Sequence, residues 1–192
     1  MRRKALIFAL SLVAGGSLLA PGVGFADRNG DDDDDNGVIK VQLKGLEEAP
    51  VVISGASGEL TLVIDDVLGS IHYDLTYRNL EGTVTQAHIH IGQKNVAGGI
   101  ALWLCKTANV KPADAAVDAL TPTCPATNPA TVSGTLTAAN VVGPTNQAVP
   151  LGAAGFADVL AAIRKGVAYG NVHSTSATSG EIRGQLHDHD DD

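Results

Sequence analysis

Short runs of alternating apolar and polar residues constrain the fold of this chain most strongly. The alternation is clear in residues 38–46, 59–65 and 71–77, and glycines or prolines lie between the runs. Side chains of a strand point alternately to its two faces, so such a run predicts a strand with one buried face. Further strands are predicted at residues 83–91, 99–105, 167–173 and 180–186.

Helical periodicity is clear in one place. Within residues 155–165, Phe156, Val159, Leu160 and Ile163 recur at helical spacing, and Gly166 follows as a terminator. Residues 106–150 are rich in proline and read as a long excursion, in which residues 134–136 could add a short strand. The fold class predicted is all-β: an antiparallel β-sandwich of Greek-key, superoxide-dismutase-like type with one short helix.

The first 26 residues have the form of a secretory signal peptide. A basic start, Arg2, Arg3 and Lys4, precedes an apolar stretch, and small residues lead to a cleavage position after Ala26. A transmembrane anchor is the alternative, but glycines and Pro21 interrupt the apolar stretch. We therefore expect an exported protein, periplasmic, cell-surface or secreted, with no membrane-spanning segment after cleavage.

Acidic residues cluster near the ends of the chain. Residues 27–37 are predicted to be an acidic disordered linker and residues 188–192 an acidic disordered tail, which leaves residues 38–187 as the folded domain. Removing the three basic residues of the signal changes the net charge from −8 to −11. This charge argues against nucleic acid as a partner, because phosphate binding depends on Lys and Arg.

The two cysteines, Cys105 and Cys124, both lie in the part expected to be exported. An even number of cysteines in an oxidising compartment favours a disulfide, which would close a loop of about 20 residues and stabilise the fold by roughly 3 kcal/mol. Two free thiols, or a copper-binding Cys105, are the alternatives.

Three histidines form the main candidate site. His88 and His90 are two residues apart and so share a face of one strand, while His173 ends another predicted strand. Neutral imidazole binds zinc and copper, and copper has the higher intrinsic affinity. The alternatives are hydrogen-bonding roles within the sheet or a role in proton transfer. Residues 187–192, with two histidines and four aspartates, are a second and weaker candidate.

Glu181 and Arg183 share a face of the last predicted strand. Arg183 could attract an anion near a metal, and Glu181 could accept a hydrogen bond that orients a histidine. The interpretation that we favour is structural: an ion-pair network across strands, or a buried arginine that fixes the sheet register. No nucleophile or phosphate-binding signature is present, so no catalytic residue is predicted.

Four segments carry a family resemblance. They are residues 87–92, with Ala-His-Ile-His-Ile-Gly, residues 98–104, residues 166–173, which end in Asn-Val-His, and residues 180–186, with Gly-Glu-Ile-Arg-Gly-Gln-Leu. Over about residues 38–187 the chain resembles the CHRD domain, a module named after chordin that also occurs alone in exported microbial proteins. The resemblance implies a β-sandwich, but it names no reaction.

The histidine pattern also resembles the copper site of copper-zinc superoxide dismutase. That enzyme uses a fourth histidine and has further histidines in a long loop, whereas residues 106–150 contain none here. We therefore expect a binding or structural module with an unknown protein or surface partner, which could hold one copper or zinc ion and otherwise has no cofactor. The alternative is a copper-dependent redox enzyme with dismutase-like chemistry.

Overall fold

Alternating burial marks about half of the strands, most clearly residues 57–65 and 70–78, as the sequence predicts, whereas residues 168–174 are buried on both faces. A computed structural model describes residues 37–187, and within them eight strands form one antiparallel sheet. The strands are β1 (Val38–Lys44), β2 (Ser57–Asp65), β3 (Ser70–Arg78), β4 (Val84–Ile91), β5 (Gly99–Cys105), β6 (Ala130–Leu136), β7 (Ala168–Ser174) and β8 (Ile182–Leu186). The predicted all-β class is confirmed.

The sheet curls until its two outermost strands meet. Its strand order is β5-β4-β7-β8-β1-β2-β3-β6, and β5 and β6 contact each other at the ends of this order. The hydroxyl of Tyr73 in β3 donates to the backbone carbonyl of Leu104 in β5, which ties the two halves together across the interior. The result is a sandwich-like, nearly closed sheet, whose apolar face encloses the core.

The core consists of the inward residues of all the strands together with one helix. In α2 (Gly152–Arg164), Phe156, Val159 and Ile163 are buried against it. The helix begins three residues before the predicted range, and Gly166 follows it with a positive φ of 66°, a conformation that glycine adopts without strain. The helix covers part of the sheet, and its apolar side is buried in the core.

The excursion between β5 and α2 has more structure than the sequence predicts. A second helix, α1 (Ala115–Leu120), begins after Asp114, whose carboxylate accepts hydrogen bonds from the backbone N–H groups of Ala116 and Val117. Six residues are too few to show a helical periodicity, which is why the sequence predicts α2 but not α1. The strand expected at residues 134–136 is also longer, because β6 pairs with β3 from Ala130 onward.

The two cysteines join this excursion to the sheet. Cys105, at the end of β5, forms a disulfide with Cys124. Both cysteines are buried. The predicted disulfide is confirmed, and because the sulfur of Cys105 is bonded to Cys124, Cys105 is excluded as a copper ligand. Lys106 and the Asp118 carboxylate of α1 form an ion pair beside the bridge. The disulfide is consistent with an oxidising environment.

The remaining predictions concern the two ends of the chain, outside residues 37–187. The signal peptide, nearly all of the acidic linker and the acidic tail lie outside the described residues. Among the residues that are described, no helix is long and apolar enough to cross a bilayer.

Candidate metal centre

The three histidines lie on the outer face of the sheet, opposite the apolar core. In β4, Ala87 and Ile89 face the core, so His88 and His90 point the other way. Neighbouring β7 is antiparallel to β4, with Asn171 opposite His88, Tyr169 opposite His90 and His173 opposite Gln86. Residues paired across strands share a face, so this register brings His173 to the two histidines of β4.

This outer face is buried although it is polar. His88 is 0% exposed, His90 7% and His173 6%. Segments on either side cover the face: residues 92–98, which join β4 to β5, and residues 175–181, which join β7 to β8. The histidines therefore lie between the sheet and its connections, largely removed from water.

The imidazole nitrogens come close to one another. Nδ1 of His88 is 3.2 Å from Nε2 of His173, and one ring nitrogen from each of the three histidines lies within 4.8 Å of the other two. Two nitrogens bound at 2.0–2.1 Å to one tetrahedral ion are about 3.3 Å apart. The pair of His88 and His173 already has this spacing, and the third nitrogen, of His90, lies within 4.8 Å of both.

Backbone carbonyls fix which nitrogen of two rings is protonated. Nδ1 of His90 is 3.0 Å from the carbonyl oxygen of Gly98, and Nδ1 of His173 is 3.0 Å from that of Thr178. A carbonyl can only accept, so we assign the proton of each neutral ring to Nδ1. Nε2 of each ring then carries a lone pair, as metal ligation requires.

Two buried ring nitrogens have no hydrogen-bond partner. They are Nε2 of His88 and Nε2 of His90. Buried polar atoms are nearly always paired, because leaving one unpaired costs about 1–3 kcal/mol. For His90 the unpaired atom is the one that carries the lone pair, so a bound cation would remove the deficit.

Burial also keeps the histidines neutral. Loss of solvation lowers the pKa of all three, to about 4 for His90 and well below 6.5 for His88. For His88, the neighbouring His173 and His90 lower the pKa further, because adjacent positive charges repel. At neutral pH the rings are therefore ready to bind a metal without first losing a proton.

Aromatic rings enclose the histidines on two sides. Trp103 of β5 meets His88 edge-on, with ring centroids 4.2 Å apart. Tyr169 stacks on His90 at 4.8 Å with an angle of 3° between the planes. These contacts restrict both rings of the β4 pair, as a preorganised site needs.

Arg183 continues the stack. Its guanidinium carbon lies 3.4 Å from the ring centroid of Tyr169, on β7, and its nitrogens donate to the carbonyls of Gln93 and Val96 at 3.0 Å each. Arg183 thus holds the segment whose Gly98 carbonyl orients His90. Glu181 lies at a different place: its Oε1 accepts from the backbone N–H of Glu81, and its Oε2 has no partner.

Four residues around the histidines were not singled out from the sequence. Tyr169 and Asn171 alternate with His173, so strand periodicity could have placed both on the same face. Trp103 and Glu48 come from other segments, and no local pattern links them to the site. Glu48 is buried, and loss of solvation raises its pKa to about 7, partly offset by Arg183 and by a hydrogen bond from Asn171.

The family follows from comparison of the whole sequence. The model of the CHRD domain matches residues 39–186, which is most of the chain and nearly all of its described part. The chain belongs to the CHRD domain family. The match to the CHRD domain includes His88, His90 and His173, both cysteines, and the two polar residues Glu181 and Arg183. Neither curated proteins nor solved structures give a match to this CHRD domain.

Proposed function

We propose that this protein is an exported CHRD module that holds one Cu²⁺ or Zn²⁺ ion through His88, His90 and His173 and has no catalytic activity of its own. One observation carries the proposal: three buried, neutral imidazoles offer nitrogens within 4.8 Å of one another, and Nε2 of His90 has no other partner. Imidazole ligands suit copper and zinc, with copper the tighter binder.

The burial of the three rings favours a binding module over a redox enzyme. A metal enzyme needs an open coordination position and a path for its substrate. His88 is fully buried and Trp103 packs against it, while Tyr169 covers His90. A superoxide assay on the copper-loaded protein separates the two functions.

Metal analysis and titration calorimetry test the proposal. His187 and His189 are replaced by asparagine in all samples, so that the tail adds no signal. We expect one Cu²⁺ or Zn²⁺ per chain and loss of this binding in His88→Ala. His72→Ala is the matched control, because His72 is an exposed strand histidine that contacts Thr135 instead. Absence of stoichiometric binding, or equal binding by His88→Ala, would refute the proposal.

A further inference from the structure

Asn171 lies at the centre of the histidine cluster. It is 3% exposed, it is the cross-strand partner of His88, and it shares the outer face of β7 with His173. Its Oδ1 is 3.2 Å from Nε2 of His173. The amide thus adjoins two of the three histidines, His88 across the strand pair and His173 by direct contact.

The contact between Asn171 and His173 is not an ordinary hydrogen bond. Nδ1 of His173 donates to the Thr178 carbonyl, so Nε2 of the neutral ring carries a lone pair. Oδ1 of Asn171 is an acceptor as well. Two acceptors at 3.2 Å repel each other unless both face a cation, so the pair itself points to a missing positive charge.

The nitrogen end of the Asn171 amide lies on the side of Glu48. Nδ2 of Asn171 and Oε1 of Glu48 both lie beside Gly180, at 2.8 and 2.5 Å from where a Cβ would stand, and Oε1 is a buried acceptor without a hydrogen-bond partner. Reversing the amide would place its oxygen against the carboxylate. Gly180 has φ of 128° and no side chain, which leaves room for this arrangement.

We propose that Oδ1 of Asn171 is the fourth ligand of the metal ion held by His88, His90 and His173, an inference that rests on the proposed function. Nε2 of His173 is 3.2 Å from Nδ1 of His88 and 3.2 Å from Oδ1 of Asn171. Both distances match the edge of about 3.3 Å expected between ligands of one tetrahedral ion. Three imidazoles and one amide oxygen contain no soft ligand, so this set favours Zn²⁺ or Cu²⁺ over Cu⁺.

A fourth protein ligand closes the coordination sphere. A closed tetrahedral site is the arrangement of structural metal centres, whereas catalytic sites keep one position for water or substrate. The asparagine therefore occupies the position at which an external molecule would bind. Because the coordination sphere is closed, we expect a structural metal site rather than a catalytic one.

Replacing the amide oxygen tests the assignment. In the chain with His187 and His189 changed to asparagine, Asn171→Leu removes the oxygen at similar size, and Asn171→Asp keeps an oxygen and adds charge. We expect Leu to weaken Cu²⁺ binding by more than the roughly 10- to 100-fold typical of residues that only orient a ligand. Asp should tighten binding. Asn140→Leu, a buried amide that contacts Thr137 instead, is the control and should leave the Cu²⁺ affinity unchanged.

Azide reports on an open coordination position. We expect the electron paramagnetic resonance spectrum of bound Cu²⁺ to be insensitive to azide in the parent protein and sensitive in Asn171→Leu. An azide-sensitive parent, together with unchanged affinity in Asn171→Leu, would overturn the fourth ligand and leave the three-histidine site intact. A parent that binds no Cu²⁺ or Zn²⁺ would refute the proposed function itself. If the Leu variant does not fold, an unchanged spectrum and affinity in Asn171→Asp would overturn the assignment.

Discussion

The indole of Trp103 packs edge-on against the imidazole of His88, with their ring centroids 4.2 Å apart. The sequence has one tryptophan, and it is buried beside the proposed metal centre. Its emission therefore comes from the immediate surroundings of His88. This contact gives the protein an intrinsic optical probe of the site.

Cu²⁺ should quench the fluorescence of Trp103 in proportion to occupancy, reaching a plateau at one equivalent. A paramagnetic ion within a few ångströms of an indole quenches it efficiently, whereas Zn²⁺, with a filled d shell, should change the emission only slightly. The measurement is a fluorescence titration with each ion, with His88→Ala as the control. Stoichiometric Cu²⁺ binding without quenching would place the ion elsewhere.

The metal-free protein should lose stability as the pH falls from about 6.5 toward 4. The folded-state pKa of His90 is about 4, so between these values the unfolded chain binds a proton that the folded chain does not, and the free energy of unfolding decreases. His90 alone should contribute about 3 kcal/mol to this loss. Urea unfolding across this range should show a weaker pH dependence in His90→Gln than in exposed His72→Gln. Equal slopes would contradict burial of a neutral His90.

Arg183→Lys should lower the free energy of unfolding by about 2–3 kcal/mol, the scale of a hydrogen bond to a charged group. Lysine cannot reach the Gln93 and Val96 carbonyls together while lying flat on Tyr169. Arg78→Lys is the matched control, because Arg78 bonds Ser57 at an exposed position. Urea midpoints for the two variants provide the comparison, and similar midpoints would show that the clamp on residues 93–96 contributes little.

Replacing both Cys105 and Cys124 by alanine should cost about 3 kcal/mol, because the unfolded chain would regain the freedom of a loop of 19 residues. The loss should appear in urea unfolding of the variant and, equally, in the parent protein with and without reductant. Metal affinity should change little, because Cys105 pairs with Ala87 and both belong to the apolar core, on the side of β4 opposite His88 and His90. An unchanged unfolding midpoint would show that the excursion is already held by other contacts.

Much of this architecture was readable from local patterns. Alternation located seven strands to within about two residues at most ends, and it placed His88 and His90 on the face opposite Ala87 and Ile89. Helical periodicity found α2. Helix α1 and most of β6 were not predicted from the sequence. A six-residue helix, and a strand that contains Ser133 and Gly134, have too little apolar periodicity to be recognised.

The sequence alone determined the alternation, the pairing of His88 with His90 on one strand face, and the family resemblance, because each depends on residues close together in the chain. Only the tertiary structure decided that His173 meets them, that Gly98 and Thr178 set the tautomers, and that Asn171 and Glu48 complete the surroundings. These relationships depend on the register of β4 against β7 and on the path of the covering segments. Strand register is set by the packing of the whole sheet, and no local pattern of residues encodes it.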